Sequence, residues 1–278
     1  MSDEKPRHEA ATRRVVYQIP GMEAVPVRRD VAYRTTDAGA LTLDLYYPLD
    51  WRSGDRSPAV VFVAGYPDPG LRAVLGCKFK EMGAYLSWGQ LVAASGLVAV
   101  TYENADPAAD IHRVLQYLRD NAGPLGLDAD RIGLWAGSGN VPNALGVLMA
   151  QPRDHVQCAA LCYGYLLDLD GSTGVAQAAA TWHFANPCAG KTVDDLPANV
   201  ALLIARAGRD EYAGINESID RFLAGALRRN LPVTLVNHAA GPHAFELFDD
   251  SETSREIVRQ ILGFLRFHLL ARGPYASQ

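Results

Sequence analysis

The chain has 278 residues, 49% of them hydrophobic and 21% charged, a balance that supports a sizeable apolar core and excludes a low-complexity or disordered chain. Its formal net charge is -5, with no basic run longer than Arg13-Arg14 or Arg228-Arg229, so neither nucleic acid nor an anionic membrane surface has electrostatic support as a partner. No apolar stretch reaches the roughly 18 residues that a membrane-spanning helix needs.

Residues 1–24 are polar and mixed in charge and lack the apolar centre of a leader peptide, so they read as a flexible tail. No Pro/Gly/Ser-rich linker or internal repeat divides the rest of the chain. One domain over residues 25–272 and a short tail over 273–278 are expected. Cys77, Cys158, Cys162 and Cys188 form neither a CxxC pair nor a disulfide-framework spacing, which points to reduced thiols and a cytoplasmic location. No His/Cys/Asp/Glu spacing suggests a metal, and no cofactor is expected. The sequence leaves the oligomeric state open, a homo-oligomer included.

In chain order, residues 25–35 and 41–47 alternate apolar and polar side chains and read as an antiparallel opening pair. Residues 59–64 (AVVFVA) are continuously apolar, as in a strand buried on both faces. A helix over 79–95 and a second buried strand over 97–102 come next. Asp106 can cap the helix after them, with Pro107 in its first turn and a stripe of Ile111, Val114, Leu115 and Leu118. Further strands are predicted at 132–135, 156–163, 199–205 and 232–237. The closing helix carries Ile257, Ile261, Leu265 and Leu269, with Thr253 and Glu256 in capping-box spacing. Strands alternating with crossover helices specify an α/β fold, with a mostly parallel sheet of roughly eight strands and helices on both faces. Residues 166–196 hold few strand signals. They read either as a crossover helix with a long loop or as a lid or wall over a pocket, with Trp182 a candidate substrate contact.

Between the strand at 132–135 and the helix after it stands Gly137-Ser138-Gly139. A serine between glycines at a strand-to-helix junction has the form of a nucleophile elbow, in which a strained turn lifts the hydroxyl above the sheet. Serine needs a base to take its proton, and the base needs a carboxylate to hold its tautomer. In a doubly wound sheet all three must come from loops at the carboxyl ends of strands. Asp210 follows the strand at 199–205, and His243 follows the strand at 232–237, giving the order Ser138, Asp210, His243. Glu211 is the competing acid and His238 the competing base; His112, His155, His183 and His268 read as surface or structural histidines, with His183 alone among them a candidate to line the pocket. Glu103 and Asn104 end a central strand, where they either face a pocket or serve structural hydrogen bonds.

With AVVFVAGYPDPG, RIGLWAGSGN, ARAGRDE and GPHAF before a terminal helix, the chain from about residue 25 onward resembles the α/β-hydrolase superfamily, and within it the dienelactone-hydrolase-like esterases and small serine carboxylesterases. The resemblance implies an acyl-enzyme on Ser138, His243 as base then acid, and Asp210 as its orienting group. It also implies an oxyanion hole from the main-chain N–H groups of Tyr66, following Gly65, and Gly139. The small-residue pattern departs at two places: Ala136 stands at the first small position and Asn140 at the last. Dienelactone hydrolases proper carry a cysteine nucleophile, so serine favours simple, small carboxylic esters as substrates.

A dinucleotide-binding reading of the glycines fails because Pro142 occupies the third small position. A non-catalytic ligand-binding relative, suggested by Asn140, and a peptidase of the prolyl-oligopeptidase type are the alternatives.

Overall fold

The computed structural model describes residues 7–150, 156–167 and 174–270. His155, residues 168–173, the first six residues of the expected amino-terminal tail and the expected tail at 273–278 lie outside the described residues.

Eight strands form one sheet in the order β1-β2-β4-β3-β5-β6-β7-β8. β1 (Val27–Thr36) and β2 (Gly39–Tyr46) pair antiparallel, and β2 is antiparallel to β4 (Val98–Tyr102). β3 (Ser57–Phe62), β4, β5 (Leu127–Gly137), β6 (Val156–Cys162), β7 (Ala201–Ala207) and β8 (Val233–His238) run parallel. β4 is buried at every residue and β3 at all but its first, as their unbroken apolar runs require.

Ten helices accompany the strands among the described residues: α1 (Glu9–Thr12), α2 (Asp68–Leu75), α3 (Gly83–Ala94), α4 (Pro107–Asp120), α5 (Ala122–Leu125), α6 (Val141–Leu148), α7 (Val175–Trp182), α8 (Ile215–Arg228), α9 (Phe245–Phe248) and α10 (Glu252–Leu270). The chain moves one way along the sheet from β3 to β4 and the other way from β4 through β5 to β8. Right-handed crossovers therefore place α3 on one face and α4, α6 and α8 on the other. α10 returns to the α3 face, where Arg266 donates to the Ser95 carbonyl at the end of α3. The direction change occurs at β3, so the crevice beyond the carboxyl ends of β3 and β5 is where a doubly wound sheet binds its ligand.

Two expectations are corrected. Residues 7–24 are packed: Ala11 and Val15 are buried, Val15 N donates to Ser87 Oγ at 3.0 Å, and Val16 N donates to the Glu246 carbonyl at 2.8 Å. Apolar residues spaced through a polar segment (Val15, Met22, Val25) carry it onto the α3 face. Secondly, α10 starts ahead of Thr253. Ser251 accepts from Ser254 N at 3.2 Å and caps the helix, which leaves Thr253 within the first turn. The sequence reading assigns no element to α2; Pro69 sits in its first turn and Gly76 ends it in the left-handed conformation.

Candidate active site

β5 ends at Gly137, and Ser138 follows with φ of 58°, a left-handed conformation that is strained for a residue with a side chain. The strain is held by packing from below. A Cβ at Gly164, just after β6, would lie 2.5 Å from the Ser138 carbonyl oxygen and 2.3 Å from Val141 Cγ2, so only glycine lets the neighbouring chain come this close.

Ser138 Oγ lies 2.8 Å from His243 Nε2, and His243 Nδ1 lies 2.7 Å from Asp210 Oδ2. The Asp210 side chain is fully buried, while that of His243 keeps 17% of its exposure. Asp210 Oδ1 accepts the Tyr212 main-chain N–H at 3.0 Å, which fixes the carboxylate plane. The three side chains come from loops after β5, β7 and β8. A hydroxyl, an imidazole and a carboxylate in line can move one proton from oxygen to nitrogen and hold the resulting cation.

The loop after β3 closes the other side. A Cβ at Gly65 would stand 2.4 Å from the Gly139 carbonyl oxygen and 2.7 Å from Asn140 Cα, so the two main chains touch. Asn140 occupies the last small position of the elbow without disturbing it. Its Oδ1 accepts Gly65 N–H at 2.6 Å, and its Nδ2 donates to the Gly137 carbonyl at 2.8 Å and to the Tyr85 hydroxyl at 3.0 Å. Asn143, one turn on, donates to the Ala64 and Pro107 carbonyls at 2.7 and 2.9 Å. Nothing in the local sequence marked Asn143; its partners lie far away along the chain.

Tyr66 and Gly139 face each other across this junction. A Cβ on Gly139 would lie 2.2 Å from the Tyr66 hydroxyl oxygen, so that hydroxyl stands directly over Gly139. Burial pushes the Tyr66 phenol up to about 12, which keeps it a neutral O–H donor. Phe184 meets Tyr66 edge-on at 6.1 Å and stacks on Tyr165 at 5.5 Å, and Ala185 N donates to the Gly65 carbonyl at 2.8 Å. The described part of residues 166–196 thus folds against the loop after β3.

The remaining sequence candidates divide. Trp182 is half exposed and meets Tyr212 edge-on at 5.9 Å; Tyr212 in turn faces the His243 ring at 4.6 Å. Tyr165, Trp182 and Tyr212, with Glu211 and Glu217, line a cavity of about 580 Å³ that Tyr212 separates from the His243 ring. Glu211, the competing acid, is part of that wall, and Asp210 holds the histidine. His238, the competing base, lies away from Ser138, with Nε2 2.9 Å from Asp249 Oδ2 and 3.1 Å from Ser254 Oγ. Glu103 belongs to an ion cluster, 2.8 Å from Lys78 Nζ and 3.5 Å from Lys80 Nζ, and accepts from Thr42 Oγ1 at 3.0 Å. Two cations and a hydroxyl already occupy that carboxylate, so it is not offered to a ligand. Asn104 is buried, and its main-chain N–H donates to Asp68 Oδ2 at 2.8 Å.

No protein-family model matches the chain, and no curated protein sequence does. Solved structures do. The native form of a thermophilic esterase, Est2, from Thermogutta terrifontis aligns over 93% of this chain and 97% of its own, with a TM-score of 0.64 and 19% identity. Its butyrate-bound form aligns over 91% of this chain and 98% of its own, with a TM-score of 0.62 and 20% identity. The esterase LipW from Mycobacterium marinum aligns over 87% and 81%, with a TM-score of 0.63 and 17% identity. The sheet order, the crossovers and these similarities together give the chain the α/β-hydrolase fold.

Proposed function

We propose that the chain is a serine hydrolase that cleaves small carboxylic esters through an acyl-enzyme on Ser138. The observation that carries this reading is the line from Ser138 Oγ through the His243 ring to Asp210, with both links at hydrogen-bond distance. In this mechanism His243 Nε2 takes the Ser138 proton as Oγ attacks the ester carbonyl, and Asp210 stabilises the imidazolium. The carbonyl oxygen becomes an anion over Gly139. There the main-chain N–H groups of Gly139 and Tyr66 and the Tyr66 hydroxyl supply donors; each such donor is typically worth about 10²–10³ in rate. His243 then protonates the departing alkoxide, and the alcohol leaves. A water, deprotonated by the same nitrogen, attacks the acyl-enzyme and releases the acid.

Aromatic walls set the substrate size. Phe184 and Tyr66 crowd the oxyanion side, which favours a short acyl group, and the butyrate-bound esterase of the same fold is consistent with that. The cavity beside Tyr212, with Trp182 on its wall, offers room for the other part of the ester.

Ser138→Ala decides the matter. The variant should keep the wild-type circular dichroism and melting temperature and lose turnover of p-nitrophenyl acetate and butyrate. A fluorophosphonate probe should add its mass to Ser138 in the wild type only. Turnover retained by a clean Ser138→Ala preparation would overturn the proposal.

A further inference from the structure

A buried carboxyl that the mechanism above does not use lies beneath the elbow. Glu246, three residues beyond His243, is 2% exposed, and burial pushes its carboxyl upward. Glu246 Oε1 accepts the Tyr163 hydroxyl, and the Trp88 indole N–H faces the carboxyl from beyond hydrogen-bond distance. A buried acid is costly to keep, so its retention needs a reason in the packing or the chemistry.

Tyr163 supplies one. It follows β6 with φ of 36°, held there as its N–H donates to the Ala205 carbonyl at 2.6 Å. Its ring stands edge-on to His243 at 5.1 Å and to Phe245 at 5.5 Å. It also reaches under the nucleophile: a Cβ on Gly137 would lie 3.0 Å from the Tyr163 hydroxyl and 3.2 Å from the ring. One side chain therefore touches both the glycine before Ser138 and the ring that must accept its proton. Its hydroxyl end is held by Glu246. The other groups facing the carboxyl are Cys162 beside Tyr163, Tyr85 and Trp88 from α3, and His243 itself.

We infer that Glu246 is a positioning residue for His243, acting through the Tyr163 hydroxyl to hold the imidazole in line between Ser138 and Asp210. The inference rests on the reading of Ser138 and His243 as the hydrolytic pair. Because Glu246 needs only to accept, an amide at this position serves as well as a carboxyl.

The test compares Tyr163→Phe, Glu246→Gln, Glu246→Leu and the Tyr163→Phe/Glu246→Leu pair on p-nitrophenyl acetate. Tyr163→Phe should lower kcat by about 10- to 100-fold with KM within about twofold, the size expected when a catalytic group is misplaced. It should also move the downfield proton NMR signal of the His243 Nδ1–H, which reads the bond to Asp210. Glu246→Leu should match Tyr163→Phe, the pair should be no worse than either alone, and Glu246→Gln should stay near wild type. If Glu246→Leu does not fold, Tyr163→Phe and Glu246→Gln carry the test. Wild-type kcat and an unmoved NMR signal in Tyr163→Phe, or Glu246→Gln as impaired as Tyr163→Phe, would overturn the inference. A wild type that hydrolyses no ester removes the underlying reading instead, so the two failures are distinct.

Discussion

The side-chain carbonyl of Asn140 accepts the main-chain N–H of Gly65 at 2.6 Å, tying the loop after β3 to the nucleophile turn after β5. The larger of the two residues that depart from the small-residue pattern of the elbow is thus the clamp between the two main chains proposed to hold the oxyanion. Its presence no longer argues for a non-catalytic relative. Asn140→Gly restores the small residue and makes the sharpest test. It leaves Gly65 N–H and the Gly137 carbonyl without their partners, each at a cost of about 1–3 kcal/mol. We expect a loss of about 2–6 kcal/mol in denaturant unfolding and a fall in kcat of about 10- to 100-fold, because the donors move. A fully active, equally stable Asn140→Gly would show that the clamp does nothing.

Asp210 and Glu211 are adjacent, and the fold assigns them different places. The Asp210 side chain is buried against His243, while Glu211 lines the cavity beside Tyr212. An amide at 210 offers the histidine the wrong partner for its Nδ1–H. Asp210→Asn should therefore lower kcat by about 10⁴ with little change in melting temperature. Glu211→Gln should stay within about twofold of wild type on a neutral ester, since a rim charge acts mainly through screened, long-range attraction. Equal losses in both variants, measured as initial rates, would return the orienting role to either acid.

Much of this site is legible in the sequence because its parts carry local constraints. A strained turn needs Gly137 and Gly139 around Ser138, and Asp210 and His243 each follow a stretch that reads as a strand. The residues that are not legible act across the fold. Tyr163 and Glu246 lie far apart in sequence, as do Asn143 and Ala64, and neither pair leaves a periodic trace. α2 carries no apolar stripe long enough to mark it, and Pro69 stands in its first turn where its missing N–H costs nothing. The amino-terminal segment reads as a tail because its few apolar residues are spread too thinly to show a period. Among the described residues, Val15, Met22 and Val25 nonetheless join the core.

Gly65 and Tyr66 are proposed to build one wall of the oxyanion hole, and their substitutions should separate steric from chemical contributions. Gly65→Ala puts a methyl 2.4 Å from the Gly139 carbonyl oxygen, and neither main chain can yield cheaply. We expect activity to fall by about 10²–10³ together with a lower melting temperature, as the hole opens and the packing strains. Tyr66→Phe removes only the hydroxyl over Gly139. It should lower kcat by at least about tenfold at unchanged stability, since a neutral donor is lost from the place where charge develops. Wild-type kcat in Tyr66→Phe would confine the role of Tyr66 to its main chain.

Asp68 gives the fold a predictable pH dependence. Its carboxyl is buried at the start of α2 and accepts Phe79 N–H at 2.6 Å and Asn104 N–H at 2.8 Å, which joins the loop after β4 to the segment before α3. Burial outweighs those two hydrogen bonds and pushes the carboxyl up to about 6 from an ordinary value of 3.8. A carboxyl whose value is raised by folding binds its proton more tightly in the folded state. The stability it contributes is therefore greatest at low pH and is lost as pH rises from about 4 through about 6. The full swing is about 3 kcal/mol. Other groups titrate in the same range, so the difference between wild type and Asp68→Asn is the quantity to follow. The asparagine variant should be less stable at every pH, because its amide nitrogen meets one of the two N–H donors. The gap should be widest near pH 4 and should narrow by about 2–3 kcal/mol by pH 7.5. Urea unfolding of both proteins across that range measures it. A gap that widens with rising pH would mean that the two N–H donors hold Asp68 as a carboxylate more strongly than burial opposes it.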